Sequence, residues 1–190
     1  MALKATIYKV NLGIADMDRG VYADQQVTIA RHPSETDERM MLRLLALGLY
    51  RPASDANGML EFAKGLWDTD EPDLWQKDLT GAIEIWIDVG QPDERRIRRA
   101  CGRAGQVYVY SYGRQGAGMW WEQIKSNFER SRNLTVVQLP AAAVTALAKR
   151  AQRNMQLNCT IQDGQVWMSD ASETVQLELV TVKMPPTVVY

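Results

Sequence analysis

The chain has 190 residues, 46% of them hydrophobic and 24% charged, with a formal net charge of −1. That composition suits one globular domain, expected over 1–184 ahead of a short tail at 185–190, and a nucleic-acid partner would need a local basic patch. No run approaches the ~20 apolar residues of a membrane helix, and the single histidine, His32, excludes paired-histidine zinc motifs.

The first β-rich runs, Leu3 to Leu12 and Tyr22 to Arg31, flank polar Asp16 to Gly20 and read as a long hairpin. Met1 to Asn11 lacks a long apolar core behind a basic flank, so no signal peptide is expected there. Cys101 and Cys159 are then expected to stay reduced in a cytoplasmic protein. Ser34 reads as a helix N-cap, with Asp37 in the reciprocal position, and the helix is expected to reach Tyr50 before Pro52. His32, just ahead of it, reads as a surface or capping residue.

Leu60 to Trp67 is expected as a short helix. Leu74 to Lys77 and Ala82 to Val89 form a second hairpin around Thr80-Gly81. Pro92-Asp93 opens a helix whose apolar face carries Ile97, Ala100, Cys101 and Ala104. A strand at Val107 to Tyr112, a helix at Ala117 to Phe128, a strand at Leu134 to Leu139 and an alanine-rich helix at Ala141 to Gln152 follow. The last strands are expected at Met155 to Asp163, Gln165 to Ser169 and Val175 to Met184. The order implies an α/β (α+β) fold, a mixed central sheet flanked by helices, with added antiparallel strands at both ends.

Three acids stand out. Pairing outward from Thr80-Gly81 sets Asp88 opposite Asp73, and opposed side chains of an antiparallel pair lie ~5 Å apart on one face. Glu38 precedes Met41, Leu42 and Leu45 at helical spacing, so it heads an apolar stripe. Two carboxylates ~4 Å apart repel by roughly 4 kcal/mol at an effective dielectric near 20. Such a cluster must be protonated, paired with arginine or filled by a cation, and oxygen-only ligands suit Mg²⁺. The alternative is ordinary structure: Asp73 and Asp78 as turn or cap residues, and Asp88 capping the next helix or pairing with Arg95 or Arg96.

Four segments carry a family resemblance: "MALKATIYK" from Met1, "ARHPSETDERMMLRLLA" from Ala30, "DEPDLWQKDLTGAIEIWIDVGQPDERRIRRACGRA" from Asp70 and "TIQDGQVWMSD" from Thr160. With them the chain resembles the YaeQ family of bacterial proteins along nearly its whole length. That family looks like a divergent branch of the PD-(D/E)xK nuclease-like superfamily. The resemblance implies a restriction-endonuclease-like core, with the extra strands giving a roll-like shape.

The superfamily's helical acid falls on Glu38, its Pro-Asp on Pro72-Asp73, with Asp78 a second candidate, and its strand acid on Asp88. A lysine is expected two residues after the strand acid, and this chain has Gly90 there, followed by Gln91. In some branches the cation migrates to the next helix, where Arg98 or Arg99 stands. The implied site is Mg²⁺ or Mn²⁺ on Asp73, Asp88 and Glu38, with Gln91 orienting a water and Arg98 offsetting charge on a scissile phosphate. The implied function is a metal-dependent nuclease acting on DNA or RNA. The alternative is a catalytically eroded module of the same fold that binds nucleic acid or a protein partner.

"DERRIRRACGR" packs arginines onto one helix. Arg95, Arg96 and Arg99, with Arg39, are the expected phosphate contacts, against the plain reading of a solvated face stabilised by Glu94–Arg98. "GRQGAGMWW" from Gly113 follows a strand and opens a helix, a context that can cradle a nucleotide phosphate, but its glycine order is G-x-x-G-x-G, not the usual fingerprint.

Overall fold

The structure is a computed structural model that describes residues 4–113 and 116–186. Leu3, the end of the tail and residues 114–115 of the Gly113 loop lie outside the described residues. Two mixed sheets and four helices alternate in layers, and neither sheet closes into a barrel.

The first sheet is built from the chain ends. Strand β1 (Thr6–Asp16) pairs antiparallel with β2 (Val21–Arg31) in the expected hairpin and parallel with β8 (Asn154–Gln162) on its other side. Strands β9 (Gln165–Ser169) and β10 (Thr174–Leu177) complete the order β10-β9-β8-β1-β2. Alternation decides its two faces: Tyr8, Val10, Leu12 and Ile14 of β1 are buried, while Ile7, Lys9 and Asn11 are exposed.

The second sheet runs β11-β7-β6-β5-β4-β3, with β3 (Leu60–Phe62), β4 (Leu74–Lys77), β5 (Ile83–Val89), β6 (Ala104–Tyr112), β7 (Leu134–Leu139) and β11 (Val180–Lys183). Helix α1 (Asp37–Leu49) lies between the sheets and contributes its unbroken buried run from Met40 to Gly48 to a core shared by both. Helix α4 (Ala141–Ala148) packs beside it. On the far side of the second sheet, α2 (Glu94–Arg103) and α3 (Gly116–Ile124) cover a second core around Trp86, Val107, Val109 and Phe128.

Several boundaries differ from the sequence reading. The α1 cap is Thr36, whose hydroxyl accepts from the Arg39 N–H at 3.2 Å, and not Ser34, whose Oγ lies 2.7 Å from His32 Nδ1. Leu60 to Trp67 is not one helix. Leu60–Phe62 finds β4 as a partner, and Gly65, at φ +53, opens a separate 3-10 turn to Trp67. The expected Val175 to Met184 strand divides, one part going to each sheet. Helix α4 ends at Ala148, and the segment to Gln152 leads out into β8.

Candidate functional site at the open end of the β4–β5 hairpin

The hairpin reaches the expected register through an irregularity: Lys77 pairs with Ile83 beside the turn, the register shifts by one residue at Glu84, and Gln76 then pairs with Ile85. Leu74 pairs with Ile87, the Asp73 N–H donates to the Ile87 carbonyl at 3.0 Å, and Asp73 therefore stands opposite Asp88. Both are almost completely buried, at 1% and 2% relative exposure. They line one cleft of about 320 Å³ with Arg39, Gln91 and Arg96, roofed by Gly65, Leu66 and Thr69.

Each aspartate is already matched to a guanidinium. Arg39 Nη2 donates to both Asp73 oxygens at 2.6 and 2.7 Å, and the Val89 N–H adds a bond at 2.8 Å. Arg96 donates Nη2 to Asp88 Oδ1 at 2.7 Å and Nε to Oδ2 at 3.0 Å, while the Trp86 indole N–H donates to Oδ2 at 3.0 Å. Burial holds the Asp88 carboxyl above its ordinary range, with Arg96 pulling the other way and Asp73 adding to the rise. Burial works to lower the Arg96 guanidinium, but its bond to Asp88 and the surrounding carboxylates outweigh that and leave it raised.

Glu35 completes the network and was not foreseen. It is 5% exposed and lies between Arg39 Nη1, at 2.9 Å, and Arg43 Nη1, at 3.1 Å. Its signal in the sequence is its spacing of four and eight residues ahead of two arginines, which only a helix starting at Asp37 brings to one side. Three carboxylates, Glu35, Asp73 and Asp88, thus meet three guanidiniums, Arg39, Arg43 and Arg96.

Glu38 does not join them. Its Oε1 accepts from the Thr145 hydroxyl of α4 at 3.3 Å, because α1 is walled in on nearly all sides and its apolar stripe does not aim Glu38 at the hairpin. Asp78 stays in the turn, accepting from the N–H groups of Thr80 and Ala82 and the Thr80 hydroxyl. Among the described residues no group of three metal-ligating side chains assembles. The donor set does not fit a resident Mg²⁺ or Mn²⁺ in this arrangement: charge is balanced in place, and a cation would have to expel Arg39 or Arg96 from hydrogen bonds they already make.

The other expected site residues disperse. Gln91 lines the cleft, but its Nε2 donates to the Tyr112 carbonyl at 3.2 Å. Arg98 is not beside Asp88. It is exposed, 3.5 Å from Glu94, with its guanidinium 5.3 Å over the Phe128 ring. Arg39 and Arg96 turn inward to their carboxylates, and Arg39 also donates Nε to Val89 O while Arg96 also reaches the carbonyls of Thr69 and Glu71. Arg99 pairs with Asp70, and Arg95 is exposed with no partner among the described residues.

The family model described as YaeQ protein matches residues 1–179. The chain belongs to the YaeQ family. The YaeQ protein of Salmonella typhi is 44% identical over 185 residues, 97% of this chain and 99% of that one. The YaeQ protein of Escherichia coli K12 is 43% identical over the same shares. The crystal structure of YaeQ from Xanthomonas axonopodis pv. citri superposes with a TM-score of 0.88 at 46% identity, covering 96% of this chain and all of that one. The Pseudomonas syringae YaeQ structure gives 0.87 at 34% identity, over 95% and 97%. Among the described residues of this YaeQ chain no helix is long and apolar enough to cross a membrane.

Proposed function

We propose that this protein is a non-catalytic module of nuclease-like fold that binds nucleic acid through the outer face of α2. The observation that carries the reading is the full pairing of Asp73 with Arg39 and of Asp88 with Arg96. Carboxylates held this way are unavailable for metal-assisted hydrolysis, as the glycine in the lysine position would lead one to expect.

Binding falls to the arginines that point outward. Arg95, Arg98 and Arg99 recur at i, i+3 and i+4, so they share one stripe, with Arg103 beside it. Glu94 and Asp70 offset two of the four. Arg98 lies over Phe128, and Arg103 lies 5.5 Å over Trp86. Stacking fixes the guanidinium planes; Arg98 gives one N–H to Glu94 and Arg103 one to the Asp70 carbonyl, and their remaining N–H groups can meet phosphate oxygens.

The competing reading is the metal-dependent nuclease. It is favoured by the juxtaposition of Asp73 and Asp88 in a shared cleft. Fluorescence anisotropy with labelled duplex and single-stranded DNA and RNA, run without metal and then with Mn²⁺, separates the two. The module binds in EDTA and leaves the labelled strands intact. Cleavage in Mn²⁺ that is lost in Asp88→Asn would replace it with the nuclease.

A further inference from the structure

We propose that the solvent face of the five-stranded sheet binds a neutral oligosaccharide, in a trough floored by Gly13 and Ala15 and walled by Asp24 and Asn158. This site lies apart from α2 and does not depend on the nucleic-acid reading.

The strand registers place these residues together. Gly13 is flanked by Asp24 on β2 and Asn158 on β8, and in the next row Ala15 is flanked by Tyr22 and Thr160, with Trp167 one strand further on. Alternation turns all of them outward, because their neighbours Leu12, Ile14, Leu157, Cys159, Val166 and Met168 fill the core. Gly13 does not have the positive φ of a turn glycine, so its conformation does not require the missing side chain. Space does. A Cβ there would stand 2.5 Å from Asn158 Oδ1 and 3.4 Å from Asp24 Oδ1. The glycine lets a carboxylate and a carboxamide lean over the same spot from opposite strands. Neither side chain has a hydrogen-bond or ion-pair partner among the described residues, so both present open acceptors, and the amide also presents donors.

The surroundings select the ligand class. Tyr22 is 68% exposed and Trp167 half-buried. Their backbone positions lie three strand spacings apart, about 14 Å, so the two rings sit at opposite sides of the trough. Aromatic faces stack on the C–H faces of sugar rings, and carboxylate and amide groups match paired hydroxyls. Beside the trough an open cleft of about 620 Å³ continues over the same strands, lined by Asn11, Gln26, Asn154 and Gln156. The charges on this stretch, Lys9 and Asp24, cancel, and the carboxylate sits at the centre. A phosphodiester chain needs an excess of cations there. A protein partner needs an apolar interface core, which two separated aromatics do not make.

The test uses the full-length protein and saturation-transfer NMR with a panel of neutral trisaccharides of glucose, galactose, mannose and N-acetylglucosamine. At least one is expected to bind, and Gly13→Ala and Asp24→Asn are each expected to weaken it about tenfold or more, with melting temperature unchanged. Trp167→Ala should remove transfer to the ring it covers. The proposal is overturned if no member of the panel binds, or if binding survives in both Gly13→Ala and Asp24→Asn. It is also overturned if oligothymidylate binds this face and the sugars do not, an outcome read from loss of its signal in Trp167→Ala.

Discussion

Arg96 closes on Asp88 with two near-parallel hydrogen bonds, at 2.7 and 3.0 Å, and the carboxylate it holds is 2% exposed. Removing one member of a buried pair leaves the other charge uncompensated, which costs about 3–5 kcal/mol. Arg96→Ala is therefore expected to lower stability by about that amount in urea unfolding. Asp88→Asn should cost less, because the amide oxygen still accepts from the Trp86 indole.

Glu35 has the same standing on the other side of the cleft. Glu35→Ala takes from Arg43 its close carboxylate, while Arg39 keeps Asp73, and the buried guanidinium left behind should cost about 3–5 kcal/mol. For a chain of this size that corresponds to a fall of roughly 6–20 °C in Tm. Glu35→Ala and Arg43→Ala together should cost less than the sum of the two singles, because they share one ion pair.

The raised Asp88 carboxyl gives stability a pH dependence of known sign. A folded value above the unfolded one means that the native state holds this proton more tightly. The contribution is then fully present below the unfolded value near ~3.9 and is lost as pH rises through the raised folded value. Urea midpoints measured upward from about pH 4 should show this decline in the wild type and lack it in Asp88→Asn.

The α2 stripe predicts how binding responds to salt. If Arg95, Arg98, Arg99 and Arg103 each neutralise one phosphate of duplex DNA, log K should fall with log salt at a slope of about −3.6. Arg95→Ala or Arg98→Ala should reduce that slope by about 0.9, and Arg95→Glu with Arg98→Glu should abolish binding measured by anisotropy. Circular dichroism should be unchanged in all of them, since Arg95 and Arg98 are exposed.

Divalent metal should leave the melting curve in place. A site that held Mn²⁺ in the native state would gain about 2.7 kcal/mol at one hundred times its dissociation constant. The paired aspartates predict no such rise in thermal scans with millimolar Mn²⁺. A rise that disappears in Asp88→Asn would count directly against the balanced-charge arrangement.

The meeting of Asp73 and Asp88 follows from centring the hairpin on Thr80-Gly81, but the turn closes from Asp78 to Ala82 and a bulge at Glu84, which has no marker in the sequence, restores the register. What the two acids do there was not legible, because the choice between a cation and an arginine depends on side chains from distant elements. Arg96 was open as a partner for Asp88 from its place on the helix after Pro92. Arg39 could not be matched to Asp73 until α1 was packed against the sheet. Glu38 was misjudged for a related reason: an apolar stripe aims a residue only on a helix with one wet side, and α1 is enclosed. A cap displaced by two residues, from Ser34 to Thr36, also hid Glu35, which lies outside the helix and folds back toward its arginines. The division of the last strand between two sheets has no local marker, since both halves carry similar β-forming residues.

The parallel pairing of β1 with β8 has a consequence for biosynthesis. Strand β1 leaves the ribosome about 140 residues ahead of the neighbour it pairs with, which is roughly 7–30 s of translation. Throughout that interval one side of α1 faces an unfinished wall, and its methionines and leucines stay within reach of other nascent chains. Chaperone dependence during synthesis should accordingly track delays in translating the stretch between β1 and β8, and a circular permutant that brings β8 next to β1 should shorten the exposure.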